Sequence, residues 1–152
     1  MDLNLQFPAG WENARQIKYK QGFTSHTCKH FVGSSPLCEK ESLALYNFTV
    51  SHDFDLILSY HTQGEVIYWK YLNYLPHNSE YIGSQFSKAS GYELEDTPFV
   101  SGFAGYKDWF IQTYNKPGYT IEAGLGDSPL PLSQFNKIYN DNIGILVLGL
   151  VL

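Results

Sequence analysis

An α/β class follows from three observations on the 152-residue chain. Short apolar runs at Phe54–Tyr60, Val66–Trp69 and Tyr119–Glu122 alternate with segments of helical spacing at Glu39–Ser51, Ser79–Ser90 and Gly105–Tyr114. That alternation is the pattern of helices layered on a sheet. His61 closes the first run and Glu122 closes the third, each followed by a glycine-bearing turn. Open α/β sheets place their chemistry at the C-terminal ends of buried strands. Hydrophobic residues make up 43% of the chain and aromatics 16%, a composition that folds around a core.

Taken in order, Met1–Gln6 reads as a short strand entering a turn at Phe7–Trp11. Glu12–Gln21 is polar and partly helical, and Gly22–Pro36 is loop-like, rich in Ser, Thr, Gly and His. Glu39–Ser51 is a helix, with Ala44, Leu45 and Phe48 at helical spacing and acidic residues in its first turn. His52–Asp55 connects it to Phe54–Tyr60, whose nearly continuous apolar character predicts a strand covered on both faces. A second strand, Val66–Trp69, follows the Gly64 turn. Ser79–Ser90 is a helix capped by Ser79 and stopped at Gly91. Gly105–Tyr114 is another, ending near Pro117-Gly118, before the strand Tyr119–Glu122. Ser133 caps a last helix with Phe135, Ile138 and Tyr139 on one face. The apolar run Ile143–Leu152 is too short to span a bilayer and is expected as a buried helix end. No repeat or linker interrupts the chain, so residues 1–152 read as one unit.

The net charge is -5 and no Lys/Arg run occurs, which argues against a nucleic-acid or anionic-membrane partner. Arg15 is the only arginine, leaving little room for the bidentate clamps that hold carboxylates. Nine residues separate Cys28 from Cys38, and His26 and His30 lie in the loop with Cys28. Two free thiols are the expectation, since that spacing is not usual for a zinc site. The N-terminal residues show no signal-peptide pattern, so a cytoplasmic location is the default.

His61 has two readings: a zinc ligand held by its strand, or a core histidine satisfied by hydrogen bonds. Glu122 also has two: a general base, or a carboxylate that caps the next turn. A buried carboxylate needs a partner or a solvated cleft. His77-Asn78-Ser79-Glu80 matches a His-x-x-Glu string but falls at a helix start, where Glu80 favours the helix dipole, and it reads as structural.

Five ordered blocks carry a family resemblance: Asp2-Leu3-Asn4, Phe7–Trp11, Leu58–Trp69, Ala104–Trp109 and Gly118–Gly124. Together they resemble zinc carboxypeptidases of the carboxypeptidase A type, and most of all the bacterial branch that cleaves γ-D-glutamyl-diaminopimelate bonds. The resemblance runs from Met1 almost to Leu152 and implies the C-terminal half of a mixed-sheet α/β/α domain. It implies that His61 is a zinc ligand. It makes Glu122 the catalytic glutamate, which takes the proton of the attacking water and passes it to the leaving amine. Asn4 matches the Asn of an Asn-Arg pair that holds the substrate's terminal carboxylate, although Leu5 stands where the Arg is expected. Lys107 falls in the segment lining the specificity pocket, where a cation would meet a diaminopimelate carboxylate; the alternative is a solvated helix lysine. Tyr106 is a candidate pocket hydroxyl, and Val100 falls near the place of the family's mobile tyrosine.

The family's first two zinc ligands come from an upstream His-x-x-Glu motif without a match in this chain, as does its oxyanion-stabilising Arg. Two readings therefore stand: a truncated metallopeptidase with peptidoglycan peptides as its substrate class, or a non-catalytic remnant or peptide-binding module without zinc. Either leaves a sheet edge and an apolar face uncovered, so self-association or a complementing N-terminal fragment is expected.

Overall fold

A computed structural model describes residues 1–152, and its four strands form one mixed sheet. The helices are α1 (Trp11–Lys20), α2 (Lys40–Val50), α3 (Ser79–Ser90), α4 (Tyr106–Tyr114) and α5 (Phe135–Leu148). The strands are β1 (Ile57–His61), β2 (Val66–Tyr68), β3 (Glu93–Glu95) and β4 (Gly118–Glu122). Their spatial order is β1-β4-β2-β3, with β1 parallel to β4, β4 antiparallel to β2, and β2 parallel to β3.

Two clusters of buried side chains lie on opposite faces of the sheet. One packs Ile57 of β1 against Trp109, Phe110 and Ile111 of α4 and against Trp11 and Ala14 of α1. The other packs Ile67, Tyr119 and Ile121 from the strands against Ile82 and Phe86 of α3 and Ile145 of α5. Period two along each strand separates the faces, so the layers are helix, sheet, helix as the sequence predicts.

Local chemistry explains the helix ends. The Gly105 N–H donates to Asp108 Oδ2 at 3.2 Å and fixes the start of α4, while Asn115 in the left-handed region ends it. Gly91, also left-handed, ends α3 where expected.

Several expectations are corrected. Met1–Gln6 is not a strand: Asp2 Oδ1 accepts the Asn4 N–H at 3.1 Å and the Asp2 carbonyl accepts the Leu5 N–H, closing a 3-10 turn over Leu3–Leu5. β1 lies at the sheet edge and is covered on both faces only at its start: Ile57 is buried in one layer and Leu58 packs against the other, whereas Tyr60 is 42% exposed. Ser79 does not cap α3. Its hydroxyl donates back to the Pro76 carbonyl at 2.8 Å, and Asn78 occupies the cap position without a side-chain bond. Ser133 lies inside a 3-10 turn, Leu132–Gln134, and α5 starts without a side-chain cap. The Ile143–Leu152 run is not buried as a whole: Ile145 is, whereas Val147 and Leu150 are exposed. β3 had no counterpart in the sequence reading. No helix is long and apolar enough to cross a membrane.

Candidate active-site cleft

β1 and β4 lie side by side in parallel, and their last residues, His61 and Glu122, are register partners. Equal register on neighbouring parallel strands puts both side chains on one face, about 4.8 Å apart in backbone spacing. Two residues back, Ser59 pairs with Thr120, and Thr120 pairs with Tyr68 of β2. Period two therefore makes a polar strip across three strands, and all five of these side chains line one cleft of about 880 Å³. The turns that leave the two strands hold each other: the Gly64 N–H donates to the Gly124 carbonyl at 2.8 Å.

Burial pushes the Glu122 carboxyl above its usual range, with no hydrogen bond or neighbouring charge offsetting it. This matches a proton carrier better than a turn cap, which would hold the carboxylate by backbone N–H groups and lower its pKa. Burial pushes the His61 imidazole below its usual value, partly offset by the negative charge of Asp2. His61 is thus a neutral imidazole near pH 7, with a lone pair free to bind a cation or a proton donor.

Asn4, Tyr106 and Lys107 line the same cleft, so all five residues singled out from the sequence converge there. Asn4 is exposed on the 3-10 turn. The Tyr106 hydroxyl lies 2.9 Å from Oγ1 of the buried Thr49, which ties this part of the cleft lining to α2. Lys107 is no solvated helix lysine: it is 3% exposed. Its ammonium donates to the Lys70 carbonyl at 2.7 Å and to Thr97 Oγ1 at 3.1 Å. It also lies 2.7 Å from Asp108 Oδ1, an ion contact that lacks hydrogen-bond alignment.

Sequence reasoning missed Ser59, Thr120 and Tyr68 as cleft residues. The signal was present: counting back by two from His61 and Glu122 reaches Ser59 and Thr120. His77 and Glu80 are absent from the cleft lining. Cys28 and Cys38 are free and exposed.

A catalytic zinc usually takes three protein ligands. His61 has the chemistry of one. No group of three His, Cys, Asp or Glu side chains in the chain stands close enough to hold a metal ion. The residues present therefore do not complete a zinc set.

Comparison with known proteins agrees with this architecture. The zinc carboxypeptidase family matches residues 1–144. The chain is 42% identical over 154 residues to gamma-D-glutamyl-L-diamino acid endopeptidase 1 of Lysinibacillus sphaericus, covering all of this chain and 37% of that protein. It is 42% identical over 146 residues to the uncharacterised YqgT of Bacillus subtilis, covering 96% of this chain and 38% of that one. The chain thus spans well under half the length of these relatives. Among solved structures, bovine thrombin-activatable fibrinolysis inhibitor, in complex with tick carboxypeptidase inhibitor, superposes with a TM-score of 0.73 at 17% identity. That match covers 97% of this chain and 54% of the other. Carboxypeptidase A of Helicoverpa armigera superposes with a TM-score of 0.68 at 21% identity, covering 97% of this chain and 40% of that enzyme. These two establish the fold, and the sequence match establishes descent: this chain belongs to the zinc carboxypeptidase family.

Proposed function

We propose that this chain is the C-terminal part of the catalytic domain of a zinc peptidase that hydrolyses γ-D-glutamyl-diaminopimelate bonds in peptidoglycan peptides. The observation that carries the reading is the register pair His61–Glu122, set at the ends of two parallel strands and facing one cleft. The 42% identity to a gamma-D-glutamyl-L-diamino acid endopeptidase supports the substrate class.

In this reading Glu122 holds the reaction's mobile proton. A carboxyl raised by burial takes a proton from an attacking water and gives it up to a leaving amine at moderate cost in either direction. His61 offers one nitrogen to the metal, and the remaining ligands belong to parts of the longer protein. Asn4 offers an amide donor to the substrate's terminal carboxylate, and Tyr106 lines the cleft with its hydroxyl held by Thr49.

A second reading, a peptide-binding module without zinc, is favoured by one observation. Leu5, which is buried, fills the position after Asn4 where the family resemblance expects an arginine. The two are separated by assaying L-alanyl-γ-D-glutamyl-meso-diaminopimelate. The chain alone is expected to show no turnover and no stoichiometric zinc. Adding the N-terminal portion of the Lysinibacillus relative should restore turnover, and Glu122→Gln should abolish it. Binding of the tripeptide without turnover under both conditions would favour the module. One zinc per isolated chain, lost in His61→Ala, would overturn the assignment of the remaining ligands to other parts of the protein.

A further inference from the structure

The stretch Thr97–Ser101 forms part of the cleft wall, with Thr97 and Ser101 both lining it. Phe99 and Val100, between them, are 69% and 57% exposed, and apart from the edge-on contact of the Phe99 ring with Phe103 at 5.1 Å packing holds this wall weakly. It hangs instead from two anchors. At its far end Phe103 is buried, and the Ala104 N–H donates to the Ala9 carbonyl at 2.7 Å. At its near end Thr97 anchors it through a hydroxyl that accepts from Lys107 and donates to the Lys70 carbonyl at 3.4 Å, next to the Asp96–Lys70 ion pair at 2.7 Å.

Lys107 joins three segments at this point. Its ammonium meets the Lys70 carbonyl after β2, Thr97 after β3 and Asp108 on its own helix. An ammonium has three donors, and three acceptors surround this one. Asp108, also buried, balances the charge. Two of its donors are taken by the Lys70 carbonyl and Thr97, and an incoming carboxylate would meet the negative charge of Asp108 beside the third.

We propose that Lys107 is a positioning residue, which ties the cleft wall Thr97–Ser101 to α4 instead of binding the substrate carboxylate itself. The assignment rests on the peptide-cleft reading for its consequence only, because its test reads the wall and not the reaction. Hydrogen exchange is measured on the 152-residue chain and on Lys107→Met, Thr97→Val and Thr97→Ser. Ser101 and Gly102 are the reporters, since their N–H groups bond to the carbonyls of Pro98 and Phe99.

The expected result is exchange about tenfold faster at Ser101 and Gly102 in Lys107→Met and Thr97→Val, the size set by one hydrogen bond to a charged group. Exchange in β4 should be unchanged in Thr97→Val, and Thr97→Ser, which keeps the hydroxyl, should behave as the parent. Lys107→Met leaves Asp108 as an uncompensated buried charge; if that chain does not fold, Thr97→Val decides alone. Unchanged exchange at Ser101 and Gly102 in Thr97→Val, or an equal acceleration throughout β4, would overturn the proposal.

Discussion

At the scale of single residues, the two strand-end groups carry opposite linkage to pH. Glu122 has its folded pKa raised by burial, so the folded chain binds this proton more tightly than the unfolded one. Its cost to stability is present above the folded pKa and disappears as pH falls below the ordinary carboxyl value. Glu122→Gln should therefore raise the melting temperature at pH 7, and the gain should vanish near pH 4. His61 has its folded pKa lowered by burial, so the folded chain disfavours the imidazolium. Stability is full above pH 6.5 and is lost as pH falls from there through the depressed folded pKa. His61→Gln should flatten the fall in melting temperature from pH 7 toward pH 5, whereas a parent chain already insensitive over that window would contradict the burial of the imidazole. His61 and Glu122 were legible in the sequence because each ends a strand-like run before a glycine turn. The setting of Lys107 was not, because a lysine in the first turn of a helix is ordinarily exposed. Its acceptors lie 37 and 10 residues away in the chain, so only the folded topology reveals them.

Among the elements, the turn that leaves β4 sets where Glu122 sits. Gly124 in that turn has a φ of +76°, and a Cβ there would stand 2.6 Å from Leu130 Cδ1 and 2.8 Å from Ile138 Cδ1. Gly91, after α3, has nearly the same φ of +79° with nothing within 4 Å. The two positions thus share a conformational cost and differ in crowding. Gly91→Ala should destabilise by about 1 kcal/mol, the price of a left-handed alanine. Gly124→Ala should destabilise more, by roughly 1–3 kcal/mol, because the half-buried Leu130 and Ile138 side chains must shift in addition to that strain. Chemical denaturation of both variants checks the order; equal losses would show that the turn yields without strain. Helices α3 and α4 were legible to within a residue because their periodicity agrees with the Gly91 stop of one and the Pro117-Gly118 break after the other. β3 escaped because three residues, Glu-Leu-Glu, are too few to show a period. The polar strip escaped because the run through β1 reads as continuous apolar sequence, although Ser59 marks its second face.

Over the whole molecule, the apolar sequence of α5 exceeds what its environment covers. Ile138, Asn142 and Ile145 form the face that packs on the sheet layer. The other face carries Phe135, Tyr139, Ile143, Leu146 and Val147, from 40% to 63% exposed. A helix apolar on both faces is normally buried on both. Its C-terminal end lies beside the edge of the sheet, since a Cβ on Gly149 would stand 3.6 Å from Leu58 Cδ1 of β1. On the other layer Phe48 and Val50 of α2 are 52% and 53% exposed. The unpaired edge of β1 and these helix faces are the surfaces expected to take up a partner, whether a second copy or a complementing segment such as a longer relative carries. Covering a fully exposed large apolar side chain contributes about 1.5–3 kcal/mol. These are about half exposed and association has its own entropic cost, so most of these surfaces together must be covered for association at micromolar concentration. Sedimentation velocity over a hundredfold range of concentration should therefore show oligomers that grow with concentration. Leu146→Lys and Val147→Lys together should shift the distribution toward monomer if the helix face is the contact. Tyr60→Lys should do so if pairing along the β1 edge is the contact, because lysine on an edge opposes strand addition. A monomer that stays monodisperse throughout the range and melts cooperatively would mean that the exposed face of α5 is tolerated in water and that the open edge of β1 needs no cover.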